Sequence, residues 1–188
     1  MEKNHLGAHI TAMVESSLIY RPQFLVESIW DVEHWRKGQL LDVTLDHNIC
    51  TDEGLNALLD IMFHGATQIT TWYVGIFESD TTPVAGTTYA VPVYTESTAY
   101  TEAARVEYAE AVASGKIITN SANKATFTMN ATKTIYGAAL VGGGSAPTDN
   151  TDVAGGGTMY CASKFVASKS VESGDVLKVT VSITSADA

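Results

Sequence analysis

Five histidines, His5, His9, His34, His47 and His64, are the residues best suited to general base work near neutral pH, and all lie in the first third of the chain. None stands in a Gly-x-Ser-x-Gly or His-Glu-x-x-His motif, so no nucleophilic triad or zinc site is written locally. Four glutamates, Glu96, Glu102, Glu107 and Glu110, have the side chain that paired-carboxylate glycoside hydrolysis requires. Their setting reads instead as a solvated or partner-facing strand edge. Asp149, Asn150, Thr151 and Asp152 offer oxygen ligands for a calcium ion, but the spacing and the distal glutamate of an EF-hand are missing. The glycine triplets 142–144 and 155–157 are not phosphate loops, because no Lys-Ser/Thr and helix follow them. Cys50 and Cys161 fit no metal spacing and read as two buried free thiols; a disulfide would need an oxidising compartment. The expectation is therefore a chain with no catalytic residues, no metal and no cofactor.

Composition narrows the function further. The chain has 188 residues, with 45% hydrophobic and only 17% charged side chains, below the quarter usual for soluble domains. Thr, Ser, Ala and Gly take the place of Lys and Glu, as expected of a surface that faces other protein. A net charge of −10 with eleven basic residues argues against nucleic acid as a partner, since phosphate contact needs clustered Lys and Arg. No apolar run approaches the ~20 residues of a membrane span, and no export signal is evident near Met1, so synthesis in a bacterial cytoplasm and no membrane partner are expected.

The elements that would position these residues are mostly strands. Residues 1–22 have mixed character without a clean period and read as an N-terminal arm, with a short packed helix as the alternative. Residues 23–188 form one β domain. Phe24 to Cys50 is a hairpin: Trp30, Val32 and His34 share one face, Asp31, Glu33 and Trp35 the other. Arg36-Lys37-Gly38-Gln39 is its turn, and Leu41, Val43 and Leu45 alternate with Asp42, Thr44 and Asp46. Residues 51–65 carry one helix, capped by Thr51 or Asp52 and stopped by Gly65, with an apolar stripe through Leu55, Leu58, Leu59, Met62 and Phe63. Such a helix plugs the end or flank of a sandwich. Gln68 to Glu78 is a strand apolar on both faces, hence central or covered by a partner. For 101–113 extended structure is favoured over helix.

Strands continue through 116–120, 124–130, 133–141, 159–166 and 176–184, where Leu177, Val179, Val181 and Ile183 oppose Lys178, Thr180, Ser182 and Thr184. About eight strands and one short amphipathic helix predict a mainly β chain, an antiparallel β-sandwich or jelly roll. Its aromatic side chains Trp30, Trp35, Trp72, Tyr94, Tyr100 and Tyr108 are the interface candidates, against the plainer reading that the tryptophans are core.

An ordered set of stretches resembles a family of small tailed-bacteriophage virion structural proteins. They are Trp35-Arg36-Lys37-Gly38; Asn48 to Asn56 with Leu58-Leu59-Asp60; Thr71-Trp72-Tyr73-Val74-Gly75-Ile76-Phe77; Thr119 to Phe127; Thr134-Ile135-Tyr136-Gly137-Ala138; Ala162-Ser163-Lys164-Phe165; and Gly174-Asp175. The resemblance covers roughly residues 27–184. It implies a non-enzymatic component, first of all a capsid decoration or cement protein. Such a protein binds the outside of the major capsid protein shell, as a dimer or trimer with itself. A tail, baseplate or fibre-attachment subunit is the alternative, a carbohydrate-binding module a more distant one, and an enzyme the most distant.

Overall fold

The computed structural model describes residues 24–146 and 156–187. The expected arm 1–22 and the Asp149–Asp152 cluster lie outside the described residues. The described chain forms strands β1 (Phe24–Arg36), β2 (Gln39–His47) and β3 (Ile49–Cys50), then helix α1 (Asp52–Phe63). After it come β4 (Trp72–Phe77), β5 (Val106–Glu107), β6 (Ile117–Thr119), β7 (Ala125–Thr128), β8 (Lys133–Gly142), β9 (Thr158–Val171) and β10 (Val176–Asp187). Two five-stranded antiparallel sheets result. One runs β2-β1-β10-β6, with β7 also paired to β10; the other runs β3-β9-β8-β4-β5.

The inner faces of the two sheets meet in a core of Trp30, Val32, Val74, Ile76, Phe127, Ile135, Leu140, Leu177, Val179 and Val181, each at most 1% exposed. β10 is the centre of the first sheet, paired to β1 on one side and to β6 and β7 on the other, and its strict alternation gives it an apolar inner face from Leu177 to Ile183. Trp30 faces Val181, Val32 faces Val179 and His34 faces Leu177 along β1. The hairpin turn closes as expected: Lys37 and Gly38 both have positive φ, 49° and 78°, the geometry that matches the twist of the flanking strands.

The second sheet is buried on both sides. Its outer face carries a second cluster of Phe77, Tyr89, Tyr94, Ala139, Val141, Met159 and Ala162, with Phe77 and Tyr94 stacked at 4.3 Å. The two apolar faces of β4 thus have a cause within the chain: the long connection after β4 folds back and covers them. In 101–113 the chain is extended or irregular, with β5 its one regular element and no helix.

The structure departs from the sequence reading in two elements. β2 keeps its period of two, but Thr44 and Asp46 are the buried residues and Leu41, Val43 and Leu45 the exposed ones. The inward side of β2 meets β9, where polar partners wait: Val166 N donates to Asp46 Oδ1 at 2.6 Å, and the buried Lys169 ammonium pairs with Asp42. Helix α1 lies against β9, on the flank of the second sheet, but much of its predicted apolar stripe faces outward. Gly54 is its buried residue, while Leu59, Met62 and Phe63 are 52%, 66% and 81% exposed. A Cβ at Gly54 would stand 2.4 Å from the Tyr160 carbonyl oxygen, so the glycine sets how closely helix and strand approach.

Candidate functional site

Among the described residues, several groups that could do chemistry are engaged in structure. His34, on the inner face of β1, shares Asp175 with Arg36. Its Nε2 lies 2.8 Å from Asp175 Oδ2, and Arg36 donates to both carboxylate oxygens at 2.8 and 2.7 Å. The backbone N–H of Glu172 adds a further bond at 2.9 Å. The Arg36 hydrogen bonds, opposed by burial, hold the Asp175 carboxyl well below the ordinary aspartate value. This carboxylate ties the turn before β10 to the end of β1. His64 ends α1 as its cap and is exposed.

Two of the four candidate glutamates are likewise occupied. Glu96 takes a bidentate pair from Arg105, Nε to Oε1 at 2.6 Å and Nη2 to Oε2 at 2.5 Å, with both side chains nearly fully buried. Burial works against the Arg105 charge, and the bonds and charge of Glu96 more than offset it, so the guanidinium pKa is raised. Arg105 also donates to the Tyr89 hydroxyl at 2.9 Å and the Ala146 carbonyl at 3.3 Å, tying parts of the covering loop to one another and to the segment after β8. Glu102 accepts from Thr128 N through both oxygens, at 3.1 and 3.0 Å. Glu107 and Glu110 are exposed. Among the described residues no three His, Cys, Asp or Glu side chains gather as metal ligands, and no helix is long and apolar enough to cross a membrane.

Of the six aromatic interface candidates, four are corrected by their burial. Trp30 is 0% exposed, Tyr108 2%, Tyr100 3% and Tyr94 9%. Trp30, Tyr100 and Tyr108 sit between the sheets; Tyr100 packs edge-on to Phe127 at 5.1 Å, and the Tyr108 hydroxyl donates to the Val181 carbonyl. Tyr94 roofs the second sheet. Residues that fill the chain's own core offer no surface to another chain. Trp35 and Trp72 are half-buried. Trp35 lies on the outer face of the first sheet, its Nε1 donating to Glu33 at 2.7 Å and the Lys178 ammonium 4.8 Å from its ring centroid. Trp72 packs edge-on against Tyr160 at 5.8 Å.

The surface that can bind is aliphatic. On the outer face of the first sheet Val43 stands opposite Glu33 and Leu45 opposite Asp31. With Leu40 and Leu41 they form an exposed apolar stripe along an edge strand, bordered by carboxylates and by the Glu33–Lys124 ion pair. An apolar centre with a charged rim is the anatomy of a protein–protein interface. Leu59, Met62 and Phe63 on α1 form a second such face. Periodicity alone does not say which of two faces turns inward.

A family model for the podophage GP4 fiber I protein gp80 matches residues 50–186. No curated protein matches the chain. The matched span runs from β3 through α1 and every later strand, so it takes in the second sheet, the covering loop and the helix with its outward stripe. The chain belongs to the podophage GP4 fiber I protein gp80 family, a family of bacteriophage virion structural proteins.

Proposed function

We propose that this chain is a fibre-type subunit of a phage virion that acts by packing against copies of itself and neighbouring virion proteins. The observation that carries the proposal is the outward aliphatic stripe Leu40, Leu41, Val43 and Leu45, together with Leu59, Met62 and Phe63 on the helix, in a chain whose buried His34, Glu96, Arg105 and Asp175 side chains bond to one another. The matched family supports a fibre position over the capsid decoration role that the sequence resemblance implies first. A decoration protein on the major capsid protein would draw on the same two surfaces. The roles differ in place, not in chemistry. A stable contact buries about 800 Å² per partner, and repetition over a particle multiplies a modest affinity.

Gold-labelled antibody on intact virions tests the reading. Label on fibres or at the tail vertex is the expected result. Even label over the shell would move the chain to the decoration role, and no label on particles would overturn both.

A further inference from the structure

Cys50 and Cys161 are separated widely in sequence, yet β3 and β9 bring them into direct register, Cys50 opposite Cys161 and Ile49 opposite Ala162. The Thr51 N–H donates to the Tyr160 carbonyl at 3.0 Å, so the 51–160 pair is the hydrogen-bonded one and the cysteines occupy the adjacent non-hydrogen-bonded site. At such sites the Cα atoms are about 4.5 Å apart and the side chains project together on one face. That spacing lies inside the ~4.4–6.8 Å range over which a disulfide can close. Both cysteines are free thiols; Cys161 is fully buried and Cys50 half-buried. Cys50 Sγ is 3.7 Å from Ser28 Oγ and 3.9 Å from the Val26 carbonyl oxygen, so the pair sits at the seam where β3 meets β1.

We propose that Cys50 and Cys161 are a cross-strand dithiol that closes to a disulfide when the protein meets a small-molecule disulfide oxidant. Cys50, the accessible member, loses its proton to solvent and attacks one sulfur of the oxidant. The oxidant's S–S bond breaks, and one small thiolate leaves and takes up a proton. Cys161 then loses its proton and attacks the Cys50 sulfur, forming the protein disulfide and releasing the second small thiol. Two protein thiols are oxidised by two electrons and one small disulfide is reduced to two thiols. Burial raises both cysteine pKa values, which makes closure slow at neutral pH and keeps the thiols free during synthesis under reducing conditions. The bond would fasten a two-residue edge strand, and the helix that follows it, to the long strand β9. It does not depend on where in the virion the chain sits.

The test incubates the full chain, purified under reduction, with oxidised glutathione, and then measures intact mass and free thiols after denaturation. The expected result is loss of two hydrogens, no titratable thiol, and an unfolding midpoint raised by on the order of 10 °C, given a closed loop of roughly 100 residues. Dithiothreitol should reverse all three. Cys161→Ala should stop at a lasting glutathione adduct on Cys50, and Cys50→Ala should stay unreacted. Two free thiols, a persistent glutathione adduct on the unmutated chain, or a disulfide joining two copies would each overturn the proposal.

Discussion

Asn120 takes the place of a backbone where no strand can fit. β6 pairs with Ser182–Thr184 and β7 with Val176–Val179 of the same strand, and the turn between them leaves one step of β10 uncovered. The buried Asn120 amide fills it, donating to the Val179 carbonyl at 3.1 Å and accepting from Val181 N at 2.7 Å. Asn120→Ala leaves both backbone groups buried and unpaired, at about 1–3 kcal/mol each. A loss of about 2–6 kcal/mol is expected from urea unfolding. Asp175 makes the second residue-level prediction. Its folded pKa is held below the ordinary value, so its stabilisation is complete above about pH 4 and is lost as the pH falls toward that lower folded value. Asp175→Asn should therefore destabilise the protein near neutrality and flatten the acid side of its stability profile, read as unfolding midpoints from pH 7 down to about pH 2. A variant whose profile keeps the full acid slope would remove Asp175 as its source.

At the scale of elements, α1 depends on one small residue and three stitches. Thr51 accepts from Gly54 N at 3.0 Å and donates to the Met159 carbonyl at 2.5 Å. Glu53 Oε2 accepts from Met159 N at 2.7 Å and Tyr89 N at 2.9 Å. Gly54→Ala would raise the helix propensity, yet the added methyl meets the Tyr160 backbone, which cannot step aside. We expect a net loss of about 2 kcal/mol and earlier proteolytic cleavage within 52–63; unchanged stability would mean that the helix can shift outward without cost. The helix, its cap and its stop were legible in the sequence because capping and the i, i+3, i+4 period are local. Which side of it turns inward was not. Of the predicted stripe, Leu55 and Leu58 are half-buried while Leu59, Met62 and Phe63 are exposed, and only the partner strand reveals that the small residue Gly54 marks the contact. β2 misleads in the same manner, because the partner that draws Asp46 inward, the Val166 N–H of β9, lies more than a hundred positions away.

For the molecule as a whole, the sandwich class, the hairpin, β4, β8 and β10 follow from alternation and turn chemistry in the sequence. The interface candidates were chosen for aromatic character, and the core claims that character first, since Trp and Tyr bury the largest areas. The exposed aliphatic stripe is the better target. Replacing Val43 and Leu45 together by Lys, whose charge is opposite to that of the facing Glu33 and Asp31, should change stability by no more than about 0.5 kcal/mol each. It should also reduce self-association, followed by light scattering across a concentration series. A double variant that associates as the parent does would remove β2 from the assembly surface.

The roof that Tyr89 and Tyr94 build over the second sheet has a geometric consequence. Among the described residues, one broad side of the sandwich is left without such a cover. If two copies met through that open side, each would present the other's closed back to the outside, and growth in that direction would stop at a pair. Any longer array must then turn a corner, extending through the helix flank or the strand edges, so the roof sets the directions in which a particle built from this subunit can lengthen.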